Sequence, residues 1–218
     1  MAIRLPLFPL HTVLFPGQVL PLHIFEPRYR RMISECLRDG APFGVVLIRE
    51  GAEVGAAAKP ASVGTTARIA QVDTLADGRM NIVTVGEARF VVHAVHAERP
   101  YLEATATIER WPDEASPALT PLAGRVLSLL QSYLLELGDG DNSTALSQLP
   151  KSALLVATAA AAVPSIPLQE RQYLLEMHTL EDVLKREAAL LQQEHTLLRA
   201  LGAMDTPARD PKTPFNVN

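Results

Sequence analysis

The rhythm of hydrophobic and polar positions changes once along this chain, near Trp111. Before it, apolar residues alternate with polar ones or gather in short β-branched runs, at 43–49, 63–75, 80–85, 90–96 and 101–111, and each run reads as a strand. The last is the clearest. Leu102, Ala104, Ala106 and Ile108 share one face while Glu103, Thr105, Thr107 and Glu109 share the other, the pattern of a strand buried on one side. Asp77-Gly78 supplies the positive φ of a tight hairpin turn. One helix interrupts the strands: Pro27 suits a first helical position, and Tyr29, Met32, Ile33, Cys36 and Leu37 form a stripe that ends at Asp39-Gly40.

Past Trp111 the period becomes that of a helix, after a boundary segment "PDEASPAL". Thr120-Pro121 opens a helix carrying Leu122, Val126, Leu129, Leu130, Tyr133 and Leu137, which Gly138 stops. Further helices are expected at 151–163, 167–177 and 179–201, the last opened by Thr179 with Asp182 three residues on. In that helix Val183/Leu184, Leu190/Leu191 and Leu197/Leu198 recur every seven residues, a stripe for packing against the other helices or against another chain. Residues 50–61 read as a mobile loop, and the proline-bearing end as a disordered tail. The predicted organisation is a β-rich unit at 1–112, a helical bundle at 113–203 and a tail at 204–218.

The stretch "LPLFPLHTVLFPGQVLPLHIFEPRYRRM" sets Pro6, Pro9, Pro16, Pro21 and Pro27 into β-favouring apolar sequence. Proline has no N–H for a ladder, so these residues place sheet edges, bends and strand starts. Such edges keep backbone groups free to accept an extended segment as an added strand; equally, the prolines cap edges against aggregation.

Composition narrows the function classes. A net charge of −4 gives no field favouring polyphosphate, and the densest basic cluster, Arg28, Arg30, Arg31 and Arg38, falls on one helix as a solvated face. No nucleic-acid or membrane partner is expected; the most apolar stretch, 153–163, is far shorter than the ~18 residues of a membrane span. The single Cys36 excludes an intrachain disulfide, and with no signal-peptide pattern the expected compartment is the cytoplasm. Neither the phosphate-loop nor the dinucleotide glycine signature occurs, and no G-x-S-x-G is present. No cofactor is predicted. His93 and His96, three apart on a strand, are expected on opposite faces and so unable to chelate one ion. "DGDNS" at 139–143 fails as a calcium loop, because the required glycine and closing glutamate fall on Thr144 and Pro150. Cys36 lies in an apolar stripe with no base marked for it.

The opening stretch, with "FGVVLI", "VGTTARIAQVDTLADGRMNIVTVGEARFVV" and "PYLEATATIE", closely resembles the N-terminal substrate-binding domain of Lon proteases, a domain type also found in cereblon-like and stand-alone bacterial proteins. The helical half is similar to the segment that follows it in Lon, so the likeness covers residues 3–201, and P-G-x-x-L-P-L-x-I-F-E-P-R-Y is its densest motif. The resemblance implies an α+β fold: a six-stranded pseudo-barrel-type β domain with one helix, then an α-helical bundle. It implies a non-enzymatic module that binds unfolded or extended polypeptide, an adaptor or chaperone-like protein, with a separate protease or ATPase as an optional partner. In "DVLKREAALL" the family tends to show Arg-Leu in the middle, which leaves the register near 185–187 open. The aromatic residues Phe15, Phe25, Tyr29 and Tyr101 are the expected polypeptide anchors, with Phe25 and Tyr29 alternatively in the core. Glu26 and Arg28 match the motif, Arg28 being counted with the binding residues or fixing the turn into the helix. The competing reading is a scaffold that docks a partner or a second copy through the long C-terminal helix, and an unrecognised hydrolase site is a third.

Overall fold

A computed structural model describes residues 1–50, 59–138, 141, 152–163 and 165–204. The expected tail and the "DGDNS" segment fall almost wholly outside them, as does most of the expected loop at 50–61. The described ends of that loop are strand instead: Glu50 closes β3 and pairs with Lys59, where β4 begins.

The strands are β1 (Ala2–Leu10), β2 (Val19–Ile24), β3 (Phe43–Glu50), β4 (Lys59–Thr74), β5 (Met80–His96) and β6 (Glu103–Glu109). They form one sheet in the order β2-β5-β4-β3-β1-β6, and β6 also pairs with β5. The pairing thus returns on itself through five strands, with β2 attached outside to β5, so the domain is a pseudo-barrel rather than a true barrel. β1 and β3 are parallel, which requires a crossover, and helix α1 (Pro27–Asp39) lies in that connection. Pro6 sits where β1 changes partner: residues up to Pro6 pair with β6 and those from Leu7 onward with β3. Pro21 lies in the outer strand β2, and Pro27 starts α1.

Two expectations are corrected. Residues 80–85 and 90–96 are not separate strands but parts of the single strand β5. Gly86 keeps its place in the ladder opposite Ala67 while the loop at 11–18 crosses it; a Cβ there would lie 2.3 Å from the Phe15 carbonyl oxygen, so glycine admits the crossing without a break. His93 and His96 do not part to opposite faces either. A register shift between Val92 and Ala94 reverses the alternation, and the two imidazoles hydrogen-bond Thr107 and Thr105, which share one face of β6.

The interior of the ring is small. Leu5, Leu7, Val46, Phe90, Ala104 and Ala106 fill it, and Gly64 is needed beside Phe90, because a Cβ there would come within 2.4 Å of the Val45 carbonyl and 2.7 Å of the Phe90 ring. A second cluster packs the buried face of α1, Tyr29, Met32, Ile33 and Cys36, on Phe8, Phe43 and Ile82.

Among the described residues the helical half has a 3-10 turn (Pro117–Leu119) and helices α2 (Thr120–Glu136), α3 (Ala153–Ala161), α4 (Leu168–Glu176) and α5 (Leu180–Met204). Thr179 caps the helix as predicted, with Asp182 N–H donating to Thr179 Oγ1 at 3.1 Å, and its hydroxyl donates to Asp182 Oδ2 at 2.7 Å in place of the reciprocal backbone bond of a full capping box. Asp113 adds a cap from the boundary segment: its carboxylate accepts from the N–H groups of Leu180 and Glu181 at 2.8 and 2.9 Å. The heptad stripe is largely spent inside the bundle, where Val183, Leu184 and Leu191 are buried.

One core runs through both predicted units. Val13, Phe15, Leu47, Ala61, Val63 and Trp111 join Val126, Leu130, Val156, Leu174 and Val183 in a single cluster. Polar contacts fasten the same seam. Arg89 stacks over Trp111 at 4.5 Å, and Arg89 Nη1 and Trp111 Nε1 both donate to the Met177 carbonyl at 3.0 Å. Thr158 on α3 donates to the Pro16 carbonyl at 2.6 Å, and Gln172 on α4 donates to that of Val63 at 3.1 Å.

Candidate functional site

The strand outside the ring defines the site. β2 pairs only with β5, so its outer edge has no strand partner among the described residues. β1 offers a second such edge: its pairing with β6 ends at Pro6, and beyond the bond from Leu7 N–H to the Leu102 carbonyl only β3 accompanies it among the described residues. Between these stretches lies a pocket walled by Phe8, Pro9 and Leu10 from β1, by Leu22, His23 and Ile24 from β2, and by Phe25, Glu26 and Tyr29 at the entry to α1. Its volume of about 180 Å³ is below the ~300–1,000 Å³ of small-molecule and cofactor sites. It suits one large apolar side chain.

The predicted anchors divide. Phe25 is 50 % exposed at the rim, stacked on His23 with ring centroids 6.1 Å apart, and the His23 imidazole is fixed by Asn81 Oδ1 at 2.7 Å. Its alternative placement in the core is therefore corrected. Tyr29 is buried, with its ring against Phe8 at 4.2 Å, and contributes a wall of the pocket. Arg28 does not line the pocket: its Nε donates to Glu26 Oε2 at 3.0 Å and its guanidinium lies 4.5 Å over the Tyr29 ring, while the Glu26 carbonyl accepts the N–H groups of Tyr29 and Arg30. That pair organises the turn into the helix.

Phe15 and Tyr101 lie elsewhere. Phe15 is 1 % exposed in the seam with the helices, where its N–H donates to Gln18 Oε1 at 3.0 Å, so it presents nothing to solvent. Tyr101 is buried against α1, donating its hydroxyl to Glu35 in a short bond and accepting from Arg99 Nη1 at 2.8 Å. Burial, reinforced by the Glu35 bond, pushes the phenol up to about 12, and that same bond, followed by Arg31, holds the Glu35 carboxyl below its ordinary value. Both belong to a structural network. The pocket residues Phe8, Pro9, Leu10 and His23 are not among the expected anchors, because their convergence depends on the pairing of β1 and β2 with different neighbours.

The surroundings carry little catalytic chemistry. Burial, then Glu35 and Asp39, raises the Cys36 thiol to about 11, which keeps it protonated and inert. Among the described residues no three His, Cys, Asp or Glu side chains gather as metal ligands. Arg28, Arg31 and Arg38 are each paired with a carboxylate, Glu26, Glu35 and Asp39, so their helix face is not a concentrated cationic patch. No described helix is long and apolar enough to cross a membrane.

Comparison with known proteins agrees with this architecture. The family described as the substrate-binding domain of ATP-dependent protease La (LON) matches residues 4–193. The Lon protease of Methylocella silvestris is 32 % identical over 192 residues, covering 86 % of this chain and 23 % of its own length. Lon protease 2 of Myxococcus xanthus is 29 % identical over 210 residues, covering 94 % of this chain and 25 % of its own. The chain therefore spans about a quarter of the length of these relatives. Among solved structures, a Lon N-terminal domain protein from Xanthomonas campestris has a TM-score of 0.64 at 28 % identity, covering 86 % of this chain and 98 % of that one. The N-terminal domain of a Mycobacterium avium complex Lon protease, at 19 % identity, shares the fold with a TM-score of 0.69 over 89 % of this chain and 98 % of that one. Residues 4–193 correspond to the substrate-binding module and not to the ATPase or protease parts, and the chain belongs to the Lon substrate-binding domain family.

Proposed function

We propose that this chain holds extended, unfolded polypeptide at the outer edge of β2, with one apolar client side chain seated in the pocket beside Phe25. The observation that carries the reading is the pocket's position between two stretches of strand lacking a partner on their outer sides. A client strand there gains backbone hydrogen bonds, which are blind to sequence, while the pocket selects an apolar side chain at alternate positions. Such recognition involves no bond cleavage and no nucleotide. A separate protease or ATPase is the natural recipient of a client held in this way. The buried, unpaired Cys36 suits a reducing compartment, and we assign the cytoplasm. The test is fluorescence anisotropy with a labelled, permanently unfolded model protein and the intact chain. Saturable binding that weakens in Phe25→Ala without loss of fold supports the reading; equal binding by both proteins contradicts it.

A scaffold reading has its own supporting observation. Leu135, Leu137 and Leu197 are 61, 49 and 57 % exposed, and the bonds of Glu136 to His195 and Arg199 bring the end of α2 beside that part of α5. Leu190 packs partly against the core, so Leu135→Glu with Leu197→Glu is the cleaner probe. A mass that rises with concentration and reverts in the double variant would favour a second copy at this end.

A further inference from the structure

Glu187 is fully buried on α5, and among the described residues neither of its carboxyl oxygens has a hydrogen-bond partner. It stands one turn from Val183 and one turn from Leu191, both buried, and so on the face turned toward the other helices. Among the described residues, the charged groups on the helices packed against α5 are committed elsewhere or exposed. On α2, Arg125 is exposed and Glu136 is bonded to His195 and Arg199. α3 has no ionisable side chain. On α4, Glu170 holds Arg186, Arg171 donates to the carbonyls of Val163 and Ile166, and Glu176 engages Arg49 and Gln172. On α5 itself Lys185 pairs with Glu181, and Glu194 is partly exposed two turns on. Burial alone raises the Glu187 carboxyl well above its ordinary value.

An unpaired charge in an apolar seam is far costlier than a neutral carboxyl at the same place. We propose that Glu187 makes the α5 seam a pH-responsive latch, closed on α2 and α3 while the carboxyl is protonated and loosened as it ionises. The sign follows from linkage: the folded form binds the proton more tightly than the unfolded one. The seam is at full strength below the unfolded carboxyl's pKa, weakens as pH rises, and levels off above the raised pKa of the folded form. Within that window the opening constant grows by up to about tenfold per pH unit. Opening uncovers Leu184, Leu191, Val126 and Leu130, an apolar surface that the closed bundle hides.

The test is amide hydrogen exchange along α5 in the intact chain, expressed as protection factors corrected for intrinsic exchange, from about pH 5 to about pH 8. Protection in the wild type is expected to fall relative to Glu187→Gln by up to about tenfold per pH unit, and Glu187→Leu is expected to be better protected than the wild type at the upper end. Parallel profiles for wild type and Glu187→Gln would overturn the proposal. Should the Gln variant not fold, Glu187→Leu serves as the neutral reference. Failure of both to fold would also contradict it, since each imitates the protonated state on which closure is said to depend.

Discussion

Phe15 and Phe25 belong to the same proline-studded stretch and look alike in sequence, yet one is 1 % and the other 50 % exposed. The difference lies in what the flanking backbone pairs with. Phe15 lies within a loop pinned by Thr65 to the Leu14 carbonyl, by Thr158 to the Pro16 carbonyl and by Gly86 to Gln18, so its ring is drawn into the seam between sheet and helices. Phe25 follows β2, the strand left outside the ring, and nothing in the described fold closes over it. Aromatic character alone therefore does not separate a core residue from a binding residue; strand topology does.

This contrast can be broken most forcefully at the seam. Phe15→Ala should cost about 3–5 kcal/mol in urea unfolding, with sheet and helices melting in one transition because they share a core. Two separated transitions would deny that common core. Trp111→Phe is expected to cost less, about 1–3 kcal/mol, since it removes a donor to the Met177 carbonyl while Arg89 still serves that oxygen. Phe25→Ala should leave stability within about 0.5 kcal/mol and weaken client binding by about tenfold or more. The smallest effect concerns acid. The folded-state pKa of Glu35 lies below its unfolded value, so its contribution is present above the unfolded pKa and is lost as pH falls through the folded one. Glu35→Gln should therefore flatten the acid limb of the stability profile, as read by thermal melts at stepped pH, and leave the neutral limb shaped as before.

Features set by near neighbours in sequence were legible. Pro27 and the stripe through Cys36 announce α1, Thr179 and Asp182 announce the start of α5, and alternation announces β6 with Ala104 and Ala106 facing inward. Features set by distant partners were not. Thr158 reaches Pro16 across 142 positions, and Asp113 caps a helix that begins at Leu180, so neither bond leaves a local pattern. The shift between Val92 and Ala94 likewise defeats a rule of strict alternation for His93 and His96. For the candidate site, the motif contains Phe25 and the β2 residues that wall the pocket. The pocket required knowing that β1 hands over from β6 to β3 at Pro6, which only the register reveals.

The most direct measurement is hydrogen exchange of the intact chain with and without a saturating unfolded client. Amides of β2 and of residues 8–10 should gain protection together, with the seam around Trp111 unchanged. Protection confined to α5, or no change along β2 while the client is bound, would contradict binding at the outer edge of β2.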